Sequence, residues 1–209
     1  MRGSSLSAAF LVALAACTPA VSMAPPTRHA APGDYPAIYD RWTRVGRALS
    51  KVEFDTNLIV SATLRGPEFQ DAYSARYLAL YNLSGDEATA FRAAEEARPQ
   101  SGYHFAVQVQ GHSYGWADLT ATKSLWRVSL SDDSGKVLVP SNIELVRNRQ
   151  QVEQALFEHP LRGPYVRSFH LTFPRVGADG QPLFPGDPRR LTLTFAGPGG
   201  RVDLHWTLR

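Results

Sequence analysis

Ser113 lies in Gly111-His112-Ser113-Tyr114-Gly115, a G-x-S-x-G pattern. Glycines on both sides permit the strained strand-to-helix turn that lifts a serine hydroxyl toward a base and an oxyanion hole. Asp179 or Asp187, and then His205, follow in the order Ser…Asp…His, which could supply the orienting carboxylate and the base for acyl transfer. The run from Tyr103 to Gln110 alternates apolar and polar residues, so a strand leads into the motif. Cys17 is the second residue with chemical potential. As the sole cysteine it excludes an intramolecular disulfide and any multi-cysteine metal site.

GHSYG resembles the nucleophile elbow of α/β-hydrolases, but its context departs from that family. An elbow strand is buried in a parallel sheet and reads as a continuous apolar run, whereas this one carries Gln108 and Gln110. Residues 34–102 hold one strand pattern rather than several βα units, and no HGGG-type oxyanion loop appears. His205 falls inside a strand pattern. A polar loop between strands is the preferred reading of Ser113, and a hydrolase using Ser113, Asp187 and His205 is the rival.

Cofactor and metal signals are weak throughout. The six histidines are scattered, with no H-E-x-x-H spacing, and His104 and His170 fall on polar strand faces where solvent exposure is expected. Asp132-Asp133 and Asp179-Gly180 read as turn chemistry. Gly197 to Gly200 lacks the Lys-Ser/Thr of a phosphate loop. No metal and no cofactor is expected.

The leader says more. MRGSSLSAAFLVALAACTPA joins a positive Arg2 to an unbroken apolar run from Ala8 to Ala16, the pattern of a secretory signal. The run is too short for a membrane span, which needs about 20 apolar residues. Its end, Leu14-Ala15-Ala16-Cys17, resembles the lipobox of bacterial lipoproteins. The resemblance implies cleavage before Cys17 and acylation there, with the membrane as first partner. Thr18, where inner-membrane members often carry Asp, points to the outer membrane. More than one acyl chain makes such an anchor durable.

Positioning elements follow from patterning. Of 209 residues, 44% are apolar and 20% charged, enough for a core and too few charges for a disordered polyelectrolyte. A formal charge of +3 without a dense basic run argues against nucleic-acid binding. Residues 1–16 form the signal, and 17–37, with five prolines, read as an extended tether. Residues 38–209 form one β-rich domain. Ile38, Trp42, Val45 and Leu49 suggest a helix over 39–50, with Arg41, Arg44 and Arg47 on another, solvated face; Gly46 leaves a short strand possible. Phe54 to Arg65 reads as a buried strand. Residues 67–98 read as a helical hairpin, with Pro67 at its start, an aromatic stripe at Phe69, Tyr73, Tyr77 and Tyr81, and a Ser84/Glu87 capping box. Alternation then marks strands near 103–110, 126–130, 136–139, 143–145, 165–173 and 191–208, with a short helix over 150–157.

These elements predict an antiparallel β-sandwich, immunoglobulin-like in general architecture, with polar outer faces and a helical insertion. The function expected is a non-catalytic envelope module binding a protein or an envelope polymer. A lipid carrier with an apolar cavity is a further alternative.

Overall fold

The computed structural model describes residues 19–49, 56–120, 122, 124–146 and 156–209. Cys17, the leader and most of the helix expected over 150–157 lie outside them.

The described fold is mainly antiparallel β, with three short helices. Its elements are α1 (Tyr35–Trp42), β1 (Thr43–Leu49), β2 (Thr56–Leu64), α2 (Pro67–Tyr81), α3 (Gly85–Ser101), β3 (Tyr103–Gly111), β4 (Arg127–Asp132), β5 (Val137–Leu138), β6 (Asn142–Leu145), β7 (Val166–Phe173), β8 (Arg190–Gly197) and β9 (Gly200–Thr207). One sheet has the order β1-β2-β3-β7-β6 and the other β5-β4-β8-β9. The sheets face each other through one core. Phe105 of β3 meets Trp206 of β9 at 5.3 Å between rings, and the Trp206 indole donates to the Trp42 carbonyl at 2.8 Å. Along β2, β3 and β7 the inward residues Val60, Val107, Phe169 and their neighbours are fully buried.

The helix expected over 39–50 breaks at Trp42, and the chain continues as β1. Long-range packing decides this. At Gly46 an added Cβ would lie 2.5 Å from Val202 and 2.8 Å from Leu204, so this strand runs directly over β9. The arginines consequently share no helical face: Arg41 pairs with Glu68, and Arg44 lies over the Trp206 ring and donates to the His205 carbonyl.

The hairpin matches its sequence pattern more closely. Pro67 opens α2, and Asn82, at φ 51°, closes it with a backbone donation to Leu78. The aromatic stripe packs along the α2–α3 seam, where Tyr77 stacks on Phe91 at 4.3 Å. Ser84 does precede α3, but its side chain caps nothing, so the expected capping box is not closed. Pro99 sits inside the last turn of α3.

Two further expectations need correcting. Residues 19–37 are not a free tether: Val21 bridges Leu208 in parallel, exchanges backbone hydrogen bonds with Thr207 and Arg209, and is 1% exposed. Its apolar side chain completes the core beside β9, which outweighs the extended preference of the prolines around it. The outer face of the five-stranded sheet is not solvated either. Ser61, Thr63, Gln108 and Ser168 are buried there, beneath α1, α2 and the segment around Leu161, whose N–H donates to Gln108. The other sheet does turn its polar face to water, as β9 shows with alternating burial.

Candidate functional sites

The chain after β3 turns back tightly. Trp116 N–H donates to Ser113 Oγ at 3.4 Å, and Ala117 N–H to the Ser113 carbonyl at 3.1 Å. At Gly111 an added Cβ would approach Trp116 Cβ to 2.8 Å, so the first glycine of the motif serves close packing. No helix follows directly, as a nucleophile elbow would need.

The residues of the expected acyl-transfer set do not converge. His205 Nδ1 bonds Thr192 Oγ1 at 3.0 Å on the other sheet. Another histidine that could have served as a base, His159, pairs with Asp40 at 3.3 Å. Asp187 lies beside Tyr103, at the opposite end of β3 from Ser113. Nine residues of strand at ~3.3 Å each separate those ends by roughly 26 Å. Asp179 accepts from Gln181 N–H within its own turn.

What surrounds Ser113 is aromatic. Tyr114 and Tyr165, 50% and 36% exposed, meet edge to face at 5.3 Å. The Arg167 guanidinium lies 5.3 Å over Tyr114 and pairs with Asp118 at 3.3 Å. His112 Nε2 bonds Asn57 Oδ1 at 2.9 Å, and its ring meets Trp116 edge-on. β3 and β7 are adjacent and antiparallel, which brings the residues after Gly111 and before Val166 to one end of the sheet.

A second cluster was not legible in the sequence. His29, Asp71 and Glu96 each present a ligand atom within 4.8 Å of the other two. Asp71 is 4% exposed; it bonds His29 Nδ1 at 2.7 Å through one oxygen and accepts from Ala30 N–H at 2.6 Å through the other. Asp71 comes from α2, Glu96 from α3 and His29 from the N-terminal segment docked against them. They border a cleft of about 410 Å³ that Met23, Pro99 and Arg175 also line. Their separations of 42 and 25 residues carry no spacing signal, so only the docking of the N-terminal segment reveals the set.

A third group is buried beneath the hairpin. Arg65 donates to Glu95 at 2.7 Å and to Gln70 at 3.0 Å, and Arg98 joins Glu95 from α3. Burial alone would raise the Glu95 carboxyl, but Arg65, with Arg98 and Gln70, holds it below the ordinary carboxylate value. His104 and His170, expected in solvent, are instead partly buried beside Arg65 and Arg98. Burial, reinforced by those cations, pushes both imidazoles down to about 4. The arrangement is a polar core layer.

No helix among the described residues is long and apolar enough to cross a membrane. No known protein family matches this chain, and no curated protein or solved structure matches it.

Proposed function

We propose that this chain is a lipid-anchored envelope protein, held through Cys17 in the outer membrane, whose domain is a non-catalytic module binding an envelope glycan. Its two sheets are taken as a sandwich of the general immunoglobulin-like kind. The anchor rests on the lipobox-like leader. The binding reading rests on one observation: the exposed Tyr114–Tyr165 pair, flanked by Arg167 and the His112–Asn57 pair, at one end of the five-stranded sheet. Flat rings suit the C–H faces of sugars, while the surrounding donors and acceptors suit hydroxyls; a phenol offers both an apolar body and a polar tip. The separation of Ser113 from His205 and Asp187 supports binding over hydrolysis. Against the lipid-carrier alternative stands the space between the sheets, which Phe105, Phe169, Phe195 and Trp206 fill.

Sedimentation with purified insoluble envelope glycan tests the site. Tyr114→Ala and Tyr165→Ala are each expected to weaken binding about tenfold, since a well-placed aromatic contact contributes about 1.4 kcal/mol. Wild-type protein that stays in the supernatant refutes the glycan reading. Labelling of wild type, but not of Ser113→Ala, by a fluorophosphonate refutes the non-catalytic one. Palmitate-analogue labelling that persists in Cys17→Ser refutes the anchor.

A further inference from the structure

We infer that His29, Asp71 and Glu96 form a binding site for a divalent transition-metal ion, and that Zn²⁺ fits it. This does not depend on the glycan reading.

The donor set is one imidazole and two carboxylates, which suits Zn²⁺ better than the hard cations, whose sites are built from oxygens. Zn–N and Zn–O bonds of about 2.0–2.2 Å place ligand atoms roughly 3.3–4.2 Å apart around one tetrahedral ion. The three donor atoms lie within 4.8 Å of one another, so an ion is seated by a small rearrangement in which the 2.7 Å His29–Asp71 hydrogen bond opens to ligand spacing. The His29 side chain is 77% exposed, which leaves it room to make that rearrangement.

Two observations mark the place as built for an ion. Asp71 is a buried carboxylate at the base of the group, fixed by Ala30 N–H and oriented toward His29. Glu96, exposed and without a hydrogen bond or ion pair to any described residue, brings a second negative charge to the same point. Arg175, which lines the cleft, is engaged elsewhere: it donates to the Pro99 carbonyl and lies over Tyr103. A dication neutralises the two carboxylates, and the imidazole binds it in its neutral form. Three protein ligands leave a fourth position open to the 410 Å³ cleft. Because the ligands come from the N-terminal segment, α2 and α3, the ion clips that segment to the helical hairpin.

Calorimetric titration of the purified chain with ZnCl2 tests the site. One Zn²⁺ per chain is expected, in the micromolar range or tighter, with affinity reduced at least tenfold in both Glu96→Gln and His29→Ala. Both positions are exposed, so these variants keep the fold; Asp71 is buried and is left intact. A second readout is the His29 imidazole resonance, which should shift on Zn²⁺ addition in wild type and require at least tenfold more Zn²⁺ to shift in Glu96→Gln. Absence of binding overturns the inference. So does binding that either variant leaves unchanged, since the ion then sits on other histidines.

Discussion

Arg65 is 5% exposed, and a guanidinium that deep demands compensation. Glu95 and Gln70 supply it from the two helices of the hairpin, while His104 and His170 complete the layer as neutral imidazoles. This arrangement carries a pH signature. Above about pH 6.5 both histidines are neutral whether the chain is folded or not. Below that value the unfolded chain takes up protons that the folded chain refuses until about pH 4. Stability therefore falls as pH drops from 6.5 to 4, by something on the order of 3 kcal/mol for His170 and less for His104, which keeps solvent contact. Glu95, whose carboxyl is held low, adds a further loss as pH drops below the ordinary carboxylate value. Urea midpoints measured between pH 7 and pH 4 should show the decline, and His170→Asn should flatten it. A midpoint constant across that window contradicts the buried neutral imidazoles. Strand alternation placed these histidines on the correct face, but it says nothing of what covers that face.

At the scale of elements, the start of α2 depends on a close approach. A Cβ on Gly66 would lie 2.2 Å from the ring of Trp42, the fully buried last residue of α1. Gly66→Ala is thus expected to destabilise the fold by about 1–3 kcal/mol, the usual cost of overpacking, lowering the thermal midpoint by several degrees. An unchanged melting temperature contradicts that packing. Most elements here are legible locally. Period-2 alternation marks β3, β7, β8 and β9, and Pro67 and Ser84 mark the helix starts, because those signals arise within a few residues. The α1–β1 junction is not. Ile38, Trp42, Val45 and Leu49 keep helical spacing across it, yet the contact of Gly46 with β9, more than 150 residues away, selects a strand. Pairing between distant segments also gathers His29, Asp71 and Glu96, which explains why the sequence pattern lacks that site.

For the molecule as a whole, the N-terminal segment is part of the fold rather than an appendage. Val21→Ala is expected to cost about 2 kcal/mol, the transfer of two buried methyl groups plus the space they leave. A substitution on a free tether would stay within about 0.5 kcal/mol. Urea denaturation separates the two, and an effect below 0.5 kcal/mol contradicts docking of this segment.

The parallel pairing of Val21 with Leu208 also determines how the protein responds to tension. If the membrane holds the chain at Cys17, a pull on the domain enters the fold beside its last strand. The Val21 bridge takes the load first, and the His29–Asp71 contact takes it next. Their rupture would release residues 19–31, about 45 Å of slack at roughly 3.4 Å per residue. Undocked, the segment would lengthen the protein's reach by that amount.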